Sequence, residues 1–403
     1  MGFTDIEVEL CEEDRSVRDL AHKFAAEVLR PAGRILDRLA DPADVIAPRS
    51  VLWDVFDKFR ALGLDALADD PALVGTPRLA RIQAMVSEEL GWGDTGLAIS
   101  LGVCGFPAMF ARLLGRPELI ERFAAPGSRE IGCWAITEPN HGSDVLAFNQ
   151  PFFDSPKIRA DCIATKDGDH YVIRGQKAAW VSNGSIATVA TLFCNLDPAH
   201  GLRDGGVALV PLDLPGVSRG VPLDKMGQRA LNQGEIFFDE VRIPADYMVV
   251  GSDSYRMVSD MVLTMANASM GVTFVGLARA ALEHAVAYAQ ERVQGGVPII
   301  NHQAVKMKIF RMFQQTEAAR ALARRAYIYN ASQQPPLLEY SIASKTFSTQ
   351  TAFDVAHTAV TVYGGNGMSR EYPVEKLLRD ARASLIEDGC NDILGLVAAD
   401  RLY

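Results

Sequence analysis

The sequence predicts an α+β protein built in three consecutive regions. These are an N-terminal helical domain over residues 1–130, a middle antiparallel β domain over 131–246 and a C-terminal four-helix bundle over 247–403. Three observations carry this. Apolar residues recur at three- and four-residue spacing before residue 130 and again after Tyr255, the period of a helix face. Between these stretches, short apolar or β-branched runs alternate with Gly, Asp and Pro, the rhythm of hairpin-linked strands. A chain of 403 residues is also too long for one compact core.

The elements follow in order. Val17, Leu20, Ala21, Phe24 and Val28 mark a first helix face within a helical stretch that starts near residue 5. Pro31 opens the next piece of helix or marks a kink. Trp53, Phe56, Phe59 and Leu62 continue the pattern, and Gly63 reads as a stop. Ile82, Met85, Val86 and Leu90 give a helix ending near Gly91, and Leu97–Leu114 a buried one broken by Gly102, Gly105 and Pro107. The strand candidates are His170–Ile173, Ala187–Cys194, Val207–Val210 and Gly234–Phe238, with Ile243-Pro244 closing the region. Beyond it no proline occurs from Tyr255 to Pro298, which predicts a helix of roughly ten turns. Helices follow over 301–329, over 338–362 and after Pro373.

Composition narrows the function. Hydrophobic residues make up 48% and charged residues 22%, ordinary for a globular protein. Lys plus Arg is 40 against 50 Asp plus Glu, a net charge of −10, so bulk attraction to nucleic acid is disfavoured. A local basic pocket for a phosphate-bearing ligand remains compatible with that charge. No run of 18 uninterrupted apolar residues occurs, and Met1–Arg15 is acidic with no signal pattern, so no membrane partner and a cytoplasmic location are expected. Cysteines stand at 11, 104, 133, 162, 194 and 390 without a CxxC pair, which argues for buried thiols and against a metal site or disulfides.

Two segments carry chemistry. Cys133–Asp144 includes Thr137-Glu138-Pro139-Asn140-His141-Gly142-Ser143-Asp144, whose hydroxyls and glycine-adjacent amides suit a polar ring edge or a phosphate, or simply a polar turn with a helix cap. Lys177–Gly184 places Trp180 beside Ser182, suited to stack on a planar cofactor and donate to its edge, or forms a core Trp followed by an Asn-Gly turn.

Taken together with later segments, these motifs resemble the acyl-CoA dehydrogenase family of FAD flavoproteins. The segments are Thr137–Asp144, Trp180-Val181-Ser182-Asn183, Lys225-Met226-Gly227, Phe237–Pro244, Arg292–Ile299, His302–Val305, Tyr363–Gly367, Glu371–Glu375 and Arg379-Asp380. The resemblance runs in order along nearly the whole chain. It implies non-covalent FAD between the β domain and the bundle. Thr137 would bond the flavin pyrimidine edge, Trp180 lie against the isoalloxazine, Ser182 reach its N5/O4 side, and Ser143 contact the pyrophosphate region, with Gly142 also among the cofactor-binding residues. Arg292, Gln303 and the Gly364-Gly365 backbone would reach the FAD of a neighbouring subunit, which implies a homotetramer. The implied partners are an acyl thioester, on CoA or an acyl carrier protein, and electron-transfer flavoprotein or another acceptor.

The resemblance also locates the base that removes the α-proton. Anchoring on Gly389 and Ile393 of Ile386-Glu387-Asp388-Gly389-Cys390-Asn391-Asp392-Ile393 puts Asp388 at that position, with Glu387 as runner-up and loss of dehydrogenation as a third reading. The alternative base position of some branches falls on Ala266, which cannot serve, with Asn267 beside it. Cys390 stands where the family has a threonine near the flavin; Gly295 and Thr361 also depart from the pattern. Residues 148–157 form a longer link expected to reshape substrate access, and with the short base suggest a branched, cyclic or otherwise unusual acyl group. An aspartate base permits a nitroalkane oxidase-like flavin oxidase, and a non-catalytic flavin-binding subunit is the third alternative.

Overall fold

The computed structural model describes residues 6–7, 10–64, 67, 70, 72–125 and 127–403. Residue 5, the expected start of the helical stretch, lies outside the described residues. Helices α1 (Glu12–Phe24), α2 (Arg30–Arg38), α3 (Val51–Leu62), α4 (Pro77–Gly93), α5 (Thr95–Cys104), α6 (Phe106–Leu114) and α7 (Pro117–Phe123) come first. Strands β1 (Gly132–Ala135), β2 (Ile163–Asp167), β3 (His170–Lys177), β4 (Val189–Asn195), β5 (Gly205–Pro211), β6 (Val217–Arg219), β7 (Ile236–Pro244) and β8 (Met248–Val250) follow. Then come α8 (Ser252–Glu291), the two-residue strands β9 (Val293–Gln294) and β10 (Val297–Pro298), α9 (Gln303–Ser332), α10 (Leu338–Tyr363), α11 (Val374–Ser384) and α12 (Asn391–Ala399).

Local chemistry explains most boundaries. Gly63 caps α3 at φ 64°, as expected of a glycine stop. The Thr76 and Asp94 side chains cap α4 and α5. Gly91, expected as a stop, lies inside α4. A Cβ there would sit 2.0 Å from the Thr273 carbonyl oxygen of α8, and one at Gly276 would sit 2.1 Å from that of Glu88. The glycines let α4 and α8 approach backbone to backbone. The first helix face also differs from expectation. One π-helical turn, Ala25–Leu29, advances the register by one residue, so Leu29 is fully buried where the expected face has the half-buried Val28; Leu20, ahead of that turn, is exposed.

The sheet runs β6-β7-β3-β2-β4-β5-β8, with β1 also on β4. It is mixed rather than purely antiparallel. β1 pairs with β4 in parallel from Gly132↔Val189 to Ala135↔Leu192, and β2 touches β4 in parallel at Ile163↔Asn195. Turn signals report only hairpins such as β2–β3. Parallel neighbours are joined by long excursions that leave no local mark. β8 also extends the region past Ile243-Pro244, pairing with β5.

α8 is apolar nearly all round and is the central helix of the bundle. Phe274, Leu277, Ala278 and Ala281 pack against Ala352, Val355, Ala356 and Ala359 of α10. By length and hydropathy alone, α8 and the stretch Thr95–Leu114 would each suit a membrane span. However, 83% of the α8 window is buried inside the protein, and the other stretch breaks at Gly105 between α5 and α6. All six cysteines are free thiols; Cys133, Cys162 and Cys194 are buried.

Candidate active site

A cavity of about 670 Å³ opens where the loop after β1 faces the loop between α11 and α12. That volume lies in the usual range for ligand sites. Thr137, Gly142, Ser143, Trp180 and Ser182 line it from the sheet side. Glu387, Asp388 and Gly389 line it from the C-terminal side, with Ile99, Val103 and Met270 as apolar wall. Residues 250 positions apart in sequence are thus brought to one space.

The loop after β1 is pinned from behind. Glu138 is buried and pairs with Lys177 Nζ at 2.5 Å, and it accepts the amides of Asp161 and Cys162. His141 Nδ1 lies 2.7 Å from Asp144, and its Nε2 donates to the Arg159 carbonyl at 2.8 Å. The Gly142 amide donates to Asp144 Oδ1 at 2.6 Å. With these polar groups paired among themselves, Thr137 and Ser143 are left at the cavity wall. In the second motif, Asn183 is the anchor. It is fully buried at φ 64°, donating to the carbonyls of Ser100 (2.9 Å) and Gly132 (3.1 Å). Trp180 is not a core residue but is 55% exposed at the cavity.

Asp388 lies in a left-handed turn at φ 51°, followed by Gly389 at φ 94°. Lys345 of α10, fully buried, holds this turn. Its Nζ donates to the Gly389 carbonyl at 2.9 Å and to Asn391 Oδ1 at 2.8 Å. Asn267 Nδ2 of α8 donates to the Asp388 carbonyl at 3.4 Å. Burial pushes the Asp388 carboxyl up to about 6, against the pull of the Lys345 charge. Burial also raises the Glu387 carboxyl, with Lys225 and the Gln228 side chain opposing. Sequence reading missed Lys345. The available signal was a lysine on the buried stripe of α10, between Ile342 and Ser348. Lys345→Met is expected to leave FAD bound but slow substrate-driven flavin reduction about 10-fold or more, because a buried charge-assisted bond to the turn is lost. Stopped-flow flavin absorbance with flavin content on the same sample checks it.

Other expected residues lie elsewhere. Cys390 is outside the cavity lining, but its amide donates to Ser143 Oγ at 2.9 Å, joining the two loops. Arg292, Gln303, Gly364 and Gly365 are exposed at the ends of α8, α9 and α10, away from the cavity. A Cβ at Gly364 or Gly365 would meet nothing within 4 Å in this chain. None of residues 148–157 lines the cavity. Phe148 instead packs tilted against Phe153, ring centroids 4.7 Å apart, and edge-on to Tyr255, while Phe148, Asn149, Gln150 and Phe152 line a smaller adjoining pocket that shares Leu146 with the cavity.

Comparison with known proteins decides the family. The acyl-CoA dehydrogenase middle-domain model matches residues 133–241 and the C-terminal-domain model residues 256–403. The chain belongs to the acyl-CoA dehydrogenase family. Benzylmalonyl-CoA dehydrogenase of Aromatoleum aromaticum is 31% identical over 98% of this chain and 99% of its own. Cyclohex-1-ene-1-carbonyl-CoA dehydrogenase of Syntrophus aciditrophicus is 32% identical over 89% and 86%. The structure of butyryl-CoA dehydrogenase from Megasphaera elsdenii superposes with a TM-score of 0.84 at 26% identity, covering 98% of this chain and 100% of that one. This acyl-CoA dehydrogenase is accordingly an FAD flavoprotein and an oxidoreductase acting on CH–CH donors.

The residues present fit a flavin. Trp180 offers an exposed indole face, and Thr137, Ser143 and Ser182 offer hydroxyls to one cavity. Trp134, in the same lining, has a buried Nε1 donor without a hydrogen-bond partner among the described residues.

Proposed function

We propose that this dehydrogenase introduces an α,β double bond into an acyl thioester carried on CoA or an acyl carrier protein, with Asp388 as the base. The observation that supports this is a carboxylate with a raised pKa facing the same cavity as Thr137, Trp180 and Ser182. Thr137 and Ser182 would hold the flavin edge, Trp180 its face, and Gly142-Ser143 the pyrophosphate side; Cys390 would support Ser143. FAD, when bound, supplies the hydride acceptor for the β-hydrogen. Asp388 takes the α-proton into its carboxylate; an aspartate, one methylene shorter than a glutamate, must stand closer to the substrate Cα. Lys345 keeps its turn in place.

In this reading Arg292, Gln303 and the Gly364-Gly365 backbone meet the FAD of a neighbouring subunit in a homotetramer. Their exposure in the single chain and the open space at both glycines support it. Electron-transfer flavoprotein or another acceptor would reoxidise the flavin, and the protein would act in the cytoplasm.

Anaerobic addition of a panel of acyl-CoAs should bleach the flavin absorbance. Bleaching that reverses only with an added acceptor supports the dehydrogenase. Peroxide formation in air without an acceptor would assign an oxidase instead. Retained FAD that no thioester bleaches would assign a non-catalytic subunit.

A further inference from the structure

A second carboxylate, Glu387, lines the cavity beside Asp388, and proton removal gives it no task. Its Oε2 accepts from Gln228 Nε2 at 2.7 Å, whereas among the described residues no hydrogen bond reaches Oε1. Gln228 is fully buried. Its Nε2 also reaches the Asp380 carbonyl at 3.4 Å, and its Oε1 has no hydrogen-bond partner among the described residues. Lys225 stands on the same wall, and its charge acts on Glu387. Lys225 Nζ donates to Gln233 Oε1, and Gln233 Nε2 reaches the Trp180 carbonyl at 3.1 Å and Ser182 Oγ at 3.3 Å. A polar wall thus runs from Glu387 toward the flavin-facing residues, in a cavity whose lining also includes the apolar Ile99, Val103 and Met270 and the cationic Arg379 and Arg382.

That wall has a consequence for the substrate. A bound acyl chain expels water from it. A plain hydrocarbon chain then leaves a carboxylate oxygen with no partner, which is costly in a site of low polarity. Burial works against ionisation of Glu387, but the Lys225 charge and the Gln228 bond favour it; in that ionised form the carboxylate accepts hydrogen bonds and donates none, and Gln228 already donates to it. The group that completes it is therefore a donor.

We propose that Glu387 selects the acyl group: the pocket takes thioesters whose acyl chain carries a hydroxyl or N–H donor beyond Cβ and disfavours plain hydrocarbon chains. The assignment rests on the thioester dehydrogenase reading with Asp388 as base. It goes beyond that reading in naming what the acyl chain carries.

Matched pairs test it, in which a hydroxyl replaces a methyl: 4-hydroxybutyryl-CoA against pentanoyl-CoA, and 5-hydroxypentanoyl-CoA against hexanoyl-CoA. The holoenzyme, Glu387→Leu and Glu387→Gln are compared by equilibrium binding and by anaerobic flavin reduction, with FAD content as the folding control. The holoenzyme should favour the hydroxylated member of at least one pair by about 10- to 100-fold, the range set by leaving a buried acceptor unpaired. Glu387→Leu should abolish or invert that preference, and Glu387→Gln, which keeps an acceptor oxygen, should retain part of it. Equal binding of both members, no binding of either, or a preference that survives in Glu387→Leu overturns the proposal. If a Glu387-dependent binding preference is found but no thioester reduces the flavin, the selection stands and the dehydrogenase reading falls. If all thioesters reduce the flavin without preference, the dehydrogenase stands and the selection falls.

Discussion

Asp388→Asn is expected to slow substrate-driven flavin reduction by at least ~10²–10⁴-fold, the usual contribution of a general base, while FAD stays bound. Asparagine keeps the size and the left-handed turn at φ 51°, a conformation both residues tolerate, but has no oxygen able to take the α-proton. Only the ionised aspartate acts. With its carboxyl raised to about 6, the wild-type rate should fall as pH drops below that value and level off above it. The groups facing Asp388 are the adjacent Glu387 and Lys345 from α10. Burial lowers the Lys345 ammonium to about 8. Loss of that proton at higher pH would remove the pull on Asp388 and loosen the turn, so the plateau should end in that range. Glu387→Gln should reduce the rate far less, because neighbouring side chains cannot both aim at one Cα. Rapid-reaction flavin absorbance across pH decides. A dead Glu387→Gln beside an active Asp388→Asn would move the base by one residue; two active variants would put it elsewhere.

Glu88→Gln is expected to destabilise the fold by about 3–5 kcal/mol, the cost of breaking a buried ion network from one side. Glu88 of α4 is 1% exposed. Its Oε1 accepts from Arg279 of α8 at 2.9 Å and from Arg320 of α9 at 3.0 Å, and its Oε2 from Arg324 at 3.0 Å. Burial pushes this carboxyl up, but Arg320, Arg324 and Arg279 together hold it far below the ordinary range. Because the folded-state pKa is depressed, the stabilisation is complete above the ordinary glutamate range and is lost only as pH falls into strong acid. Chemical denaturation at pH 7 measures the difference. Asp167→Asn is the comparison, since its partner Arg242 and Asp167 itself are both exposed, and it should change stability little. Equal effects from the two substitutions would refute a bolting role for Glu88.

Sequence alone determined the order of helices, sheet and bundle, because helix and strand periods are local and each stretch repeats its own. It also determined the motif residues Thr137, Trp180, Ser182 and Asp388 as site candidates, and the cavity collects all four. What it could not reach depends on contacts between distant segments. The parallel pairings of β1 and β2 with β4 leave no turn signal. The π-helical turn at Ala25–Leu29 moves the buried position from Val28 to Leu29, which a fixed 3.6 period cannot foresee. Gly91 reads as a stop, yet its role is to let α8 approach within van der Waals reach of α4. Tertiary structure alone put Lys345 under the Asp388 turn, 44 residues from its partner Gly389, and put Gln228 against Glu387, 159 residues away. Buried charges are expensive unless paired, and pairing is set by which elements pack together rather than by the spacing along the chain.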